Sequence, residues 1–219
     1  MRRMWIAALL LAASATMASA ADSSKSSLLA VELTSGTADI ATEISTNFSG
    51  YAPAFDHSEW GVRAEYWKMM GPEYAFTLGG GIGMFSEEDK PGSNAALGDA
   101  KQTFSQSSWN LRIGGDRVLA VGDKSSIYFG PGIEYWSGKA KFKDESAPPN
   151  NLDYETKNTT RISLDARLGG NMMVSPAWGI TAQVGAKIGH ATYKENGAET
   201  SWWPSSPSGA VGLVFKFGS

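Results

Sequence analysis

The feature that most constrains the fold of this chain is an alternation of apolar and polar side chains that recurs in eight separate segments. Successive side chains of a strand point to opposite faces of a sheet, so this pattern predicts strands with one apolar and one polar face. In the last segment, Val211, Leu213, Phe215 and Phe217 alternate with small or charged residues. The predicted strands cover residues 28–36, 58–69, 74–86, 106–120, 126–142, 160–174, 178–193 and 208–217.

The connections between these strands alternate between long and short. The long, polar connections cover residues 37–57, 87–105, 143–159 and 194–207. The short turns cover residues 71–73, 122–126 and 175–177. An even number of strands, with short turns at one end and longer loops at the other, is typical of bacterial outer-membrane barrels. We therefore predict an all-β fold, an eight-stranded antiparallel up-and-down transmembrane β-barrel with short periplasmic turns and long extracellular loops.

The first twenty residues have the pattern of a secretory signal peptide. Arg2 and Arg3 precede a short apolar run, residues 4–13, and small residues close the segment at Ala20. The apolar run is shorter than the about 20 residues that a membrane-spanning helix needs. We expect cleavage after Ala20, a short lead at 21–27, a barrel domain at 28–219 and a location in the bacterial outer membrane.

Composition excludes several classes of site. The chain has no cysteine, so disulfides, thiolate metal sites and thiol nucleophiles are absent. Its 19 basic and 22 acidic residues give a net charge of -3, and loss of Arg2 and Arg3 would make it -5. Nucleic-acid binding usually needs a basic stripe, so we expect no nucleic-acid partner. We also expect no metal and no cofactor.

The alternation itself fits two orientations of the strands. An inward apolar face would make a soluble periplasmic barrel that binds a small hydrophobic ligand, whereas an outward apolar face would contact lipid. The strands are longer than the about 5–6 residues usual in soluble sheets, and they suffice to cross a bilayer. Aromatic residues also mark both ends of the apolar face, as in membrane girdles. The predicted girdle comprises Trp60, Trp109 and Tyr135 at the loop ends and Tyr74, Trp178 and Phe217 at the turn ends.

The polar faces of the strands carry both acids and bases. The interior of an eight-stranded barrel is only wide enough for side chains to fill it, and interleaved opposite charges there satisfy one another. We therefore predict a plugged interior without a porin-like pore. The residues of this predicted lumen network are Glu32, Arg63, Glu65, Arg112, Asp116, Glu134, Arg161, Asp165, Arg167, Lys187 and Lys216.

With these features the chain resembles small bacterial outer-membrane β-barrel proteins of the OmpA/OmpX-like superfamily. The resemblance covers the signal peptide and the whole barrel. Its most specific part is AVGLVFKF, which is similar to the C-terminal assembly signal of such barrels and contains Val211, Leu213, Phe215 and Phe217. The resemblance implies outer-membrane lipid, lipopolysaccharide and the barrel-assembly machinery as partners. The family includes adhesins, resistance factors, structural anchors and lipid-modifying enzymes.

We expect a non-enzymatic barrel whose loops carry surface interactions or an envelope-structural role. The aromatic loop at 200–208, with Trp202 and Trp203, is expected to lie at the barrel rim.

One arrangement of residues supports an enzymatic alternative. Lipid A deacylases of this fold have a His-x-Ser pair and a downstream Glu, and the segment GHATYKE around His190 resembles that pattern. In such a site the base activates a hydroxyl and the acid orients the base. Here Thr192 would replace the serine, and Glu195 or Glu199 would supply the acid.

Overall fold

The computed structural model describes residues 26–37, 58–89, 102–121, 123–144, 152–155, 159–195 and 198–217. The predicted signal peptide lies outside these residues. Among the described residues, no helix is long and apolar enough to cross a membrane.

The described residues form one antiparallel sheet that closes on itself. Its strands are β1 (Ser27–Thr37), β2 (Ser58–Met69), β3 (Tyr74–Asp89), β4 (Gln102–Ala120), β5 (Ser125–Asp144), β6 (Leu152–Glu155), β7 (Thr159–Met173), β8 (Trp178–Glu195), β9 (Ala198–Trp202) and β10 (Ser205–Phe217). Strand β10 pairs with β1 on one side and with β8 on the other, which closes the barrel. Closure pairs the two outer strands of the sheet and removes its free edges.

The ten strands occupy eight positions around the barrel, because two of these positions are each divided between two strands. Strands β6 and β7 both pair with β5, and strands β9 and β10 both pair with β8. The prediction of an eight-stranded antiparallel barrel is therefore confirmed. Short hairpin turns at 70–73 and 174–177 join β2 to β3 and β7 to β8, and the Val121 N–H donates to the Ser125 carbonyl at 2.8 Å where β4 is followed by β5.

The predicted long connections at 143–159 and 194–207 are partly paired with neighbouring strands in the structure. These segments contain β6 and β9, which extend two of the hairpins. At their loop ends, residues 141–144 of β5 and 191–195 of β8 offer backbone groups to the chain that returns from each connection. The returning chain pairs with those groups in spite of its polar composition, because the ladder hydrogen bonds do not depend on apolar side chains.

The apolar face of the strands points outward and the polar face points inward, as expected if the apolar face contacts lipid. Along β7, Ile162 and Leu164 are 61% and 63% exposed on the outside, whereas Arg161, Ser163 and Asp165 are buried inside. The same alternation holds around the barrel. Over the described residues the interior is mainly polar, so the soluble alternative with an apolar interior does not fit the structure.

Glycines on the inner face make room for large side chains from neighbouring strands. A Cβ atom on Gly169 would overlap the ring of Tyr128, and one on Gly132 would overlap the guanidinium of Arg112. A Cβ atom on Gly138 would lie 2.5 Å from the Trp136 ring. Without these glycines the buried side chains would not fit across the barrel.

Two adjacent glycines test this close packing. We predict that Gly169→Ala lowers the free energy of unfolding by about 1–3 kcal/mol, because the added methyl group overpacks the interior against Tyr128. Gly170→Ala is the control, since its Cβ would make only an ordinary contact, 3.4 Å from the Ser126 carbonyl oxygen. Urea unfolding of both variants measures the difference, and equal midpoints would contradict the packing account.

Candidate functional site

The barrel interior contains most of the predicted lumen network. Nine of its eleven residues are buried: Glu32, Arg63, Glu65, Arg112, Asp116, Glu134, Arg161, Asp165 and Arg167. Lys187 is half-buried and pairs with Glu134. Lys216 stands apart from the network, because it pairs in register with Leu28 at the turn end of the barrel and its side chain is exposed.

Arg167 on β7 is the most connected member of the lumen network. Its guanidinium binds both carboxylate oxygens of Asp116, with one Nε–Oδ1 distance of 3.1 Å. It also contacts both oxygens of Glu65, at 2.9 Å from Nη1 and 2.6 Å from Nη2. A further hydrogen bond of 3.2 Å reaches the side-chain oxygen of Gln183. The planar guanidinium therefore joins strands β2, β4, β7 and β8 across the lumen.

A second arginine, Arg63, forms the next part of the network. It donates from Nε and Nη2 to Glu32 Oε2, at 3.0 and 2.6 Å. Gln183 donates its amide to both oxygens of Glu32, at 2.8 and 2.9 Å. Because Gln183 also accepts a hydrogen bond from Arg167, it links the Arg63–Glu32 pair to Arg167.

Arg112 completes a group of three arginines around Glu65. Its Nε and Nη2 both lie 3.0 Å from Asp165 Oδ2, and its Nη1 donates to the Thr77 hydroxyl at 2.9 Å. Glu65 lies 3.8 Å from both Arg112 and Arg63, and closer to Arg167. Glu65 is therefore the acid that all three arginines share. We call Glu65 and these three arginines the arginine centre.

A smaller charged layer lies on the loop side of this centre. Glu134 accepts from Lys187 through both oxygens, at 2.7 and 2.8 Å, and lies 3.5 Å from Arg161. The Arg161 guanidinium also stacks over the Trp136 ring, 5.4 Å from its centroid. The cavity that these residues border has a volume of about 70 Å³, which leaves room for a few water molecules.

An apolar plug fills the lumen on the turn side of the arginines. Its buried members are Trp67, Ala75, Val118 and Tyr128, with Leu28 and Met69 packed against them. The Trp67 and Tyr128 rings meet edge to face at 4.4 Å, and the Arg167 guanidinium lies over both. In the sequence, Trp67 has the parity of Glu65 and Tyr128 has the parity of Glu134, which puts both aromatics on the polar face, but the sequence analysis did not identify the plug. The available signal was the pairing of large aromatics with glycines on one face.

The outer wall of the barrel is apolar between its two ends. We call this surface the apolar band. Its exposed members are Val62, Phe76, Leu111, Ile113, Ile127, Phe129, Ile133, Ile162, Leu164, Leu168, Ile180, Val184, Ile188, Val211 and Leu213.

The predicted girdle residues also lie on the outer face. Four are exposed and large: Trp60, Tyr74, Trp109 and Trp178. Tyr135 and Phe217 are half-buried, and the Tyr135 ring lies 5.2 Å from that of Trp109. In the terminal strand, Val211 and Leu213 point outward, while Phe215 is half-buried opposite Trp178.

The residues of the enzymatic alternative lie on the outer wall near its loop end. His190 and Thr192 share the outward face of β8, and the His190 ring contacts Trp203 edge-on at 5.2 Å. The Thr192 hydroxyl is hydrogen-bonded to that of Thr160, at 3.0 Å. Glu199 is exposed on β9, and the side chain of Glu195 lies outside the described part of the chain.

These features define a class of protein: an eight-stranded antiparallel barrel with a charged, plugged interior and an apolar outer wall. No protein-family model matches the chain, and no curated protein matches it either.

The chain is similar to several solved structures over most of its length. The attachment invasion locus protein Ail of Yersinia pestis, solved with the heparin analogue sucrose octasulfate, is 13% identical with a TM-score of 0.46, covering 88% of this chain and 97% of Ail. The outer membrane protein OprG from Pseudomonas aeruginosa is 11% identical at 0.44, covering 89% and 97%. A major outer membrane protein from Thermus thermophilus is 10% identical at 0.48, covering 87% and 99%. A likeness at this level does not extend to function.

Two arginines on β4 test the energetic role of the lumen network. We predict that Arg112→Ala lowers the free energy of unfolding by about 3–5 kcal/mol, because it leaves Asp165 buried without its arginine. Arg117→Ala removes an exposed pair with Glu73 and is expected to cost at most about 1 kcal/mol. Denaturant unfolding measures both values. Equal losses for the two variants would contradict a stabilising buried network.

Proposed function

We propose that this protein is an integral outer-membrane β-barrel without enzymatic activity, which acts through its loops or as a structural part of the cell envelope. The observation that carries the proposal is the apolar band. Among the described residues, 26 large hydrophobic side chains are exposed. A soluble monomer rarely exposes a continuous apolar surface of this extent, whereas lipid covers it at no cost. The girdle residues at both ends support the same placement.

The closed interior supports a role other than solute passage. The arginine centre and the apolar plug fill successive layers of the lumen. The cavity that borders them has a volume of about 70 Å³, which holds only a few water molecules. Interactions with other molecules then fall to the outer wall and to the long connections. The partners we propose are membrane lipid, lipopolysaccharide and, during insertion, the barrel-assembly machinery.

The enzymatic alternative is a lipid A deacylase centred on His190 and Thr192. A nucleophilic hydroxyl needs a base within hydrogen-bond reach. The Thr192 hydroxyl instead pairs with the Thr160 hydroxyl, and the His190 ring packs against Trp203. These contacts support the non-enzymatic proposal over the deacylase.

A charge placed in the apolar band tests the membrane placement. Val184 is 64% exposed near the middle of β8, so Val184→Arg would be nearly neutral in a soluble barrel. In a bilayer we predict a loss of about 2–4 kcal/mol in the free energy of folding into vesicles, because the charge would lie among acyl chains. Val184→Leu is the control and is expected to fold like the wild type. A fully tolerated arginine would contradict the proposal.

The absence of activity has its own test. We predict that lipid A from cells that express the protein keeps the acyl pattern of cells without it. Mass spectrometry of extracted lipid A measures this pattern. Loss of one acyl chain in cells with the wild type, but not in cells with His190→Ala, would favour the deacylase instead.

A further inference from the structure

A trough on the outer wall lies at the loop end of the apolar band. It has a volume of about 540 Å³, within the range of ligand sites in proteins. Tyr135 lines the trough on one side, and Trp203 lines it on the other. Strands β7 and β8 form the floor between them. The opening faces outward, because the floor residues Ile162, Leu164 and Ile188 are all more than half exposed.

A break in the barrel wall creates one side of this trough. The strand position next to β8 is divided between β9 and β10, and the break between them falls at Trp203 and Pro204. The backbone N–H of Gly189 donates to the Pro204 carbonyl at 3.1 Å, which holds the interrupted segment against β8. Trp203 is 72% exposed, and its ring contacts His190 edge-on. A tryptophan left this exposed beside an apolar floor is suited to cover a bound chain.

The polarity of the floor changes in one direction on both strands. Toward the loops, β8 reads Ile188, His190 and Thr192 on its outward face, and β7 reads Leu164, Ile162 and Thr160. The apolar residues come first, and the hydrogen-bonding groups come last on each strand. The Thr160 and Thr192 hydroxyls are hydrogen-bonded to each other at 3.0 Å, so together they form a fixed polar edge at the loop end of the trough.

This gradient matches a membrane lipid in its bilayer orientation. The hydrocarbon of an acyl chain lies toward the middle of the bilayer, and its amide or ester linkage lies toward the surface. The imidazole N–H of His190, and the one O–H of the Thr160–Thr192 pair that is not donating within the pair, are donors suited to such a carbonyl. Because the loops mark the outer side of the membrane, the matching lipid belongs to the outer leaflet.

We propose that this trough binds one acyl chain of lipid A, with His190 and the Thr160–Thr192 pair facing the linkage at the head of that chain. The inference rests on the proposed membrane placement and adds a lipid site to it. It involves binding alone and needs no bond-breaking step.

The test measures lipid A binding to the full-length barrel by native mass spectrometry in detergent micelles. Leu164→Trp fills the trough while keeping the wall apolar, and His190→Phe removes its polar donor. Val62→Trp places the same side chain on the outer face of β2, away from the trough, and serves as the matched control. We expect lipid A affinity to fall about tenfold with Leu164→Trp, equal to about 1.4 kcal/mol, and to stay unchanged with Val62→Trp.

The outcomes separate the site from the membrane placement. Folding of every variant is checked by the difference in gel mobility between boiled and unboiled samples. A wild type that folds in micelles and binds lipid A no better than Leu164→Trp and His190→Phe would overturn the site alone. Equal affinity for lipid A and for phosphatidylethanolamine would overturn the assignment to lipid A. A wild type that stays soluble and monomeric without detergent would overturn the membrane placement.

Discussion

The structure depends on the mutual neutralisation of charges inside the barrel. Five acids and five bases meet there, and Glu65 lies within 4 Å of three arginines. Burying any one of these charges alone would cost several kcal/mol. Their side chains arrive from strands far apart in sequence, so the network forms only when the barrel is closed in the observed register. The glycines on the inner face are needed for the same reason, because they leave space for the guanidiniums.

The outer wall follows from the same arrangement. In a strand the side chains alternate, so placing the charged face inside places the apolar face outside. A closed barrel satisfies its backbone hydrogen bonds within its own wall, which is the condition for surviving in hydrocarbon. The charged interior and the apolar band are therefore two consequences of one strand pattern. The break at Trp203 and Pro204 is one of two interruptions of this regular wall, and the proposed lipid trough lies beside it.

Much of this architecture was predictable from the sequence, because alternation and turn spacing are local signals. The predicted bounds of β2 coincide with the observed strand, and the turn at 175–177 falls inside the observed connection. The partners of each charge were not predictable. Arg167 binds Glu65 across 102 positions of sequence, and that contact depends on how the barrel closes. The extensions β6 and β9 were missed because polar hairpin ends lack the apolar signal. Lys216 has the inward parity of the network, but it pairs in register with Leu28, which packs against the apolar plug, and its side chain is exposed. Parity alone does not reveal this position along the barrel.

Site-directed spin labelling tests most directly whether lipid covers the apolar band. The chain has no cysteine, so single cysteines at Leu164, Leu168 and Val211 accept one nitroxide each in reconstituted vesicles. Lys139, which is exposed on the loop-side extension of β5, gives the water-facing reference. We predict that the three band positions collide far more often with dissolved oxygen than with a water-soluble nickel chelate, and that Lys139 shows the reverse. Nickel collisions at the band positions as frequent as those at Lys139 would show that water covers this surface, and would contradict the account.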